Sequence, residues 1–262
     1  MSIIELHNDV RAVIDERAFA MVLITGTDKV RSGYGNGDSL LVDFDHRVFA
    51  VADATERFPH ASRLLLSNIV SGLQTIPQSS DEWLHYLNGI YASQEYHLKS
   101  TLSLIALQKQ ESVSRAFIAH GGDSSLQIYN KQNKSLVYKT SVNMNFAGRS
   151  KHVDSIDCIP LQDQLRVILY SDGFHDVIKH CNIVMEDLLH VSLIEAITHI
   201  IDKVGNLDCE EYDDISLLLF DIPEIYTVNT KGILMGGTTR LQEQKVKESI
   251  SIHDYNSLIR IM

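Results

Sequence analysis

Four aspartates of this 262-residue chain stand at the tips of apolar, strand-length segments: Asp38 in GYGNGDSLLV, Asp53 in VFAVADAT, Asp172 in VILYSDG and Asp213 in YDDISLLLF. A carboxylate carried to the end of a buried strand loses water, which is unfavourable unless it meets a partner or a cation. Hard divalent ions such as magnesium and manganese take oxygen ligands, and carboxylates converging from separate segments are a common way to hold them. One Asp-Gly or Asp-Ser at a strand end also serves as a turn residue that caps its own backbone. It is the set of four that points to a cation site. The twelve histidines add nothing to it, because none has HExxH or comparable ligand spacing.

The elements that must position these carboxylates follow from periodicity. Apolar runs at 17–25 (RAFAMVLIT), 39–42 and 47–51 predict strands. Leu64, Leu65, Ile69, Leu73 and Ile76 fall at helical spacing and predict a helix over 61–76, ended by Pro77. A second helix is expected at 80–91, where Ser-Asp-Glu opens a face of Trp83, Leu84, Leu87 and Ile90. Short segments at 101–107, 116–120, 126–129 and 135–139, joined by QKQES, HGGDSS and NKQNK, predict an antiparallel meander. A buried strand at 165–170, a long helix at 186–204 and a closing strand at 215–220 complete the pattern. Strands broken by helical blocks make this an α+β fold with sheets packed under helices. Residues 1–223 are expected as one domain. Residues 224–262 are set apart as a C-terminal appendage, with an amphipathic helix over 239–252.

Composition narrows the function. The formal net charge is −11, which argues against a nucleic-acid partner, since phosphate backbones select Lys- and Arg-rich faces. Cys158, Cys181 and Cys209 are odd in number and scattered, which fits a reducing cytoplasm. The opening MSIIELHNDVRAVIDERAF reads as neither a secretory signal nor a transit peptide. No run approaches the roughly eighteen apolar residues of a membrane helix, so no membrane association is expected.

Six segments, in order, resemble the metal-dependent protein phosphatases of type 2C (the PPM family), and their bacterial branch in particular. GYGNGDSLLV resembles the family's Asn-x-Asp motif before a strand, and VFAVADAT its FAVADG motif. KSTLSLIAL is similar to the segment written GTTLV-A-L, and AFIAHGGDSSLQIY to AHVGDSR and its strand. VILYSDGFHDVI resembles LLLCSDGLTDVL, and DDISLLLF resembles DNITVVVV. The resemblance spans residues 31–221. It implies a sandwich of two antiparallel sheets flanked by helices, and hydrolysis of phosphoserine or phosphothreonine in a phosphoprotein substrate by a water bridging two Mn2+ or Mg2+ ions. Asp53 would be the catalytic residue that bridges the metals, with the backbone carbonyl of Ala54 serving one. Asp172 and Asp213 would complete the other's shell, and Asp38 would bind directly or through water. Asp123 matches an aspartate of a third, weaker metal site in some relatives. Asp214 stands where the family usually has Asn, so Asp213 takes the ligand role.

The chain departs from the family in how it would handle substrate. Ala54 replaces a glycine. Gly33 stands where the family has an arginine that clamps phosphate, which leaves Arg31 and Arg57 as substitutes, since a guanidinium fork suits phosphate oxygens. Thr55 stands where many relatives have a histidine proposed as proton donor. The alternative to an enzyme is a pseudophosphatase that acts as an interaction module with a regulatory protein partner. Retention of the carboxylates favours the enzyme, because a scaffold gains nothing from holding like charges together.

Overall fold

The computed structural model describes residues 3–5, 10–15, 18–27, 35–55, 57–110, 113–206 and 212–242. Two sheets stack face to face. The first contains β1 (Ile3–Glu5), β4 (Asp38–Asp43), β5 (Val48–Asp53), β6 (Leu102–Gln110), β7 (Val113–Gly121), β10 (Ile156–Leu161) and β13 (Ile233–Gly236), in the order β1-β13-β4-β5-β6-β7-β10. The second contains β2 (Val10–Asp15), β3 (Phe19–Ile24), β8 (Ser125–Asn130), β9 (Leu136–Lys139), β11 (Leu165–Tyr170) and β12 (Ile215–Ile222), in the order β2-β3-β12-β11-β8-β9. Every pairing is antiparallel except β1 with β13. Helices α1 (His60–Gly72) and α2 (Ser80–Ser93) cover the outer face of the first sheet. Helices α3 (Asp172–His180) and α4 (Leu193–Gly205) cover that of the second.

Three apolar layers result. Phe49, Val51, Ile105, Leu169, Leu218 and Phe220 meet between the sheets, with the Phe49 and Phe220 ring centroids 4.5 Å apart. Leu65, Ile69, Trp83 and Leu87 pack on Ala50, Leu104 and Phe117. Phe174, Ile197 and Ile200 pack on Ile168, Leu217 and Leu219. The central strands are therefore buried on both faces, which is why FAMVLI, LRVILY and ISLLLF carry no polar alternation.

The structure corrects several sequence expectations. The first helix ends at Gly72, before Pro77, with Leu73 leaving the helical region. The long helix expected at 186–204 is two elements. A 3-10 turn at Met185–Leu189 precedes α4, which restarts where Ser192 and Glu195 form a reciprocal capping box. The expected meander is split between sheets. β6 and β7 form a hairpin in the first and β8 and β9 one in the second, and the chain crosses at Gly122, whose φ of 108° suits glycine. Of the segment set apart as an appendage, 233–236 form β13, hydrogen-bonded between β1 and β4. Residues 243–262, with most of the helix expected at 239–252, lie outside the described residues.

Candidate metal centre

Side chains on a strand alternate faces, so the position two beyond an inward apolar residue is again inward. In β5, Phe49 and Val51 face the other sheet and Asp53 is the next inward position. In β4, Asp38 precedes inward Leu40 and Val42. The β4–β5 register sets Asp38 directly opposite Asp53, a like-charge pairing that a strand ladder disfavours on its own. The same shift from apolar to polar occurs at this end of the other strands. Ser103 meets His120 Nδ1 at 3.0 Å, Thr101 Oγ1 meets Ser124 Oγ at 2.6 Å, and Ser171 follows inward Leu169.

The carboxylates converge here. One oxygen from each of Asp53, Asp123 and Asp172 lies within 4.8 Å of the other two. Asp172 opens α3 directly beyond β11, and Asp123 comes from the β7–β8 turn. Asp38 is fully buried. Its Oδ2 accepts a 2.5 Å hydrogen bond from Ser171 Oγ, while its Oδ1 has no partner. The carbonyl oxygen of Ala54 and Oδ1 of Asp53 both face Gly37, where an added Cβ would come within 3.1 and 3.5 Å of them. Among the described non-glycine residues, positive φ is confined to Arg47, Lys134, Gln164 and Asn182, so alanine serves at position 54 without backbone strain.

Electrostatics marks the cluster as unbalanced without a cation. Burial, and then the charge of Asp53, hold the Asp38 carboxyl well above the usual carboxylate range. Burial, and then the charges of Asp172, Asp213 and Asp214, do the same to Asp53. Asp172 is pushed up to about 6, by burial and then by Asp123 and Asp213. An all-oxygen donor set, mutually repelling carboxylates and an unpartnered buried oxygen on Asp38 together fit a hard divalent ion.

The adjacent aspartates 213 and 214 separate in role. Asp214 is buried and accepts from Gly26 N at 2.7 Å and Gly37 N at 2.6 Å, which ties β12 to the loops before β4. Asp213 is exposed, accepts from Asp214 N at 2.8 Å, and its charge acts on Asp53 and Asp172. Accordingly, Asp214→Ala should destabilise the metal-free protein by about 3 kcal/mol, because two buried backbone donors lose a charged acceptor. Asp213→Asn should change that stability by no more than about 0.5 kcal/mol but reduce stabilisation by manganese. Urea unfolding with and without manganese reads both, and the reverse pattern would exchange the two roles.

Of the arginines expected at the substrate, Arg31 lies outside the described residues and Arg57 is exposed in the loop beyond Ala54. Sequence reasoning missed the supports of the cluster. Ser171 bonds Asp38 and accepts from Ser216 N, Thr101 accepts from Asp53 N at 2.9 Å, and Asn36 accepts from Asp38 N at 2.9 Å. Their one local signal is a polar residue just beyond the end of an apolar strand.

No protein-family model and no curated protein sequence matches the chain. Solved structures do. RsbX in complex with magnesium matches at TM-score 0.59 and 11% identity, over 81% of this chain and 99% of that one. The SiaA-PP2C domain of Pseudomonas aeruginosa matches at TM-score 0.57 and 13% identity, over 78% and 85%. The catalytic domain of the serine/threonine protein phosphatase PstP in complex with two manganese ions matches at TM-score 0.53 and 14% identity, over 78% and 96%. The chain thus has the fold of the bacterial type 2C-like serine/threonine phosphatases, two antiparallel sheets flanked by helices.

Proposed function

We propose that this protein is a metal-dependent phosphatase that hydrolyses phosphoserine and phosphothreonine in proteins. The observation that carries the reading is the convergence of Asp53, Asp123 and Asp172 at the polar end of a sandwich with the type 2C phosphatase fold. In this reading two divalent ions would be held by Asp53, which would be shared between them, by the Ala54 carbonyl on one side and by Asp172 and Asp213 on the other, and Asp123 would belong to a further, weaker site. When bound, such ions supply Lewis-acid polarisation of the phosphoryl group and a nucleophile at neutral pH. Magnesium with RsbX and manganese with PstP support these two cations.

The chain's own residues do the rest. The β4–β5 ladder fixes the separation of Asp38 and Asp53, Ser171 orients Asp38, and Thr101 pins the backbone of Asp53. No protein nucleophile is required, which agrees with the absence of an arginine at CxxxxxR spacing from any cysteine. The partner is a phosphoprotein. A cytoplasmic location fits the cysteine pattern, and no described helix is long and apolar enough to cross a membrane.

The test is hydrolysis of p-nitrophenyl phosphate and a phosphothreonine peptide by the full chain with manganese, with magnesium and with EDTA. Turnover that requires metal supports the reading. Intact metal binding without turnover of either substrate replaces it with the interaction module.

A further inference from the structure

We propose that Lys99 binds the phosphoryl group of the substrate at the metal centre. The inference rests on the phosphatase reading and supplies what that reading lacks, a cation aimed at the substrate. An acidic cluster repels a phosphate dianion unless positive charge is fixed beside it. Gly33 occupies the place where an arginine would be expected.

The sheet register places Lys99. In the β5–β6 ladder Phe49 pairs with Ile105 and Val51 with Ser103, and the bridge between Ala54 and Ser100 continues the same register beyond both strands. Thr55 N donates to Lys99 O at 3.3 Å, so Thr55 and Lys99 are the next pair out. Alternation then decides the faces. Phe49, Val51 and Ile105 point between the sheets, as do Asp53 and Thr101, and hence Thr55 and Lys99. Ala54 points to the outer face, where it packs with Ala61, Leu98 and Phe58. Lys99 therefore springs from the face that carries Asp53, roughly 7 Å further out along the ladder. A flexible four-carbon stem suits that offset.

Two further observations fit a residue waiting for an anion. Lys99 is half-buried, and among the described residues it forms no ion pair. Its ammonium instead rests 5.6 Å from the ring centroid of exposed Tyr96. Such a contact holds a cation without neutralising it and is readily exchanged for a phosphate oxygen. Arg57 lies beyond the ladder, exposed in the turn that Phe58 N closes by donating to Thr55 O at 2.9 Å, so the register does not direct it toward Asp53. In the segment KSTLSLIAL, Lys99 stands where the similar phosphatase motif begins with glycine.

The experiment compares wild type, Lys99→Met, Lys99→Arg and Arg57→Gln, all loaded with manganese. It measures KM and kcat on p-nitrophenyl phosphate, inhibition by inorganic phosphate, and phosphate binding by calorimetry. Lys99→Met is expected to raise KM and weaken phosphate binding about ten-fold or more, with the manganese midpoint of thermal stabilisation unchanged. Lys99→Arg keeps both within about three-fold, and Arg57→Gln within about two-fold. A Lys99→Met protein within about two-fold of wild type in both quantities overturns the assignment, as does a loss confined to Arg57→Gln. If wild type hydrolyses no phosphate ester, the phosphatase reading fails on its own. Calorimetry then still decides on Lys99: phosphate binding lost in Lys99→Met upholds it as an anion site, and wild type without phosphate binding overturns it.

Discussion

Asp53→Asn is expected to lower metal-dependent turnover roughly a thousand-fold or more while leaving the metal-free protein at least as stable as wild type. The two halves have one cause. Asp53 is opposed by Asp38 across the ladder and lies within reach of Asp123 and Asp172. Burial, and then the charges of Asp172, Asp213, Asp214 and Asp123, disfavour its charge in the folded chain, whereas in the unfolded chain the same carboxylate is solvated and unopposed. Ionised Asp53 therefore weakens the fold at neutral pH until a cation arrives, and a neutral isostere removes that penalty. The same change removes the ligand proposed to be shared by both ions, so the chemistry those ions supply goes with it.

Measurement separates these parts. For wild type, a metal at a hundred times its Kd should add about 2.7 kcal/mol to unfolding, and most of that gain should vanish in the variant. Turnover of p-nitrophenyl phosphate should vanish with it. An Asp53→Asn protein that still gains stability from manganese and still turns over would remove Asp53 from the bridging role. One that is less stable than wild type without metal would show that hydrogen bonding, not charge crowding, dominates at this position.

How much could be read in advance depended on whether the determining contacts were local. FAMVLI, LRVILY and ISLLLF are continuous apolar runs because each is covered on both faces, and such runs stand out at nearly their true bounds. Strand β10 escaped notice because it is an exposed edge carrying Pro160, which breaks the apolar signal. Helix α3 escaped because three residues, Gly173, Phe174 and Val177, are its whole buried face. The break before α4 was written locally in Ser192 and Glu195, but the apolar stripe of Leu188, Leu189 and Ile197 runs across it and conceals it. The aspartates were visible one at a time, as carboxylates at strand tips. Their convergence followed from the set of four and from the six ordered motifs, not from local spacing, since Asp38 pairs with Asp53 only across the β4–β5 ladder and Asp53, Asp123 and Asp172 meet only through sheet stacking and non-local register. The same holds for Lys99, whose facing depends on a ladder between two segments distant in sequence.

The largest stability effect is expected at the other end of the second sheet. Asp221→Ala should destabilise the protein by about 3–5 kcal/mol and lower its thermal midpoint by on the order of 10 °C. Arg166 and Asp221 are paired residues of β11 and β12, and both are buried. The guanidinium meets the carboxylate through Nε–Oδ1 at 2.7 Å and Nη2–Oδ2 at 2.8 Å, and Lys131 Nζ adds a contact to Oδ2 at 2.9 Å. The remaining guanidinium nitrogen, Nη1, donates to the carbonyls of Leu188 and Val191, so the pair also holds the turn that leads into α4. Removing Asp221 leaves a buried cation without its counter-charge, which is worse than having no pair at all. The Arg166→Met/Asp221→Leu double variant should therefore be more stable than Asp221→Ala, a coupling that a thermodynamic cycle through both single variants measures. Arg166 and Asp172 are six positions apart, roughly 20 Å along the direction of β11, so turnover per folded molecule should survive in every member of the cycle. A loss below about 1 kcal/mol in Asp221→Ala, or single effects that simply add in the double variant, would mean that solvent reaches the pair and that α4 is held by its apolar face alone.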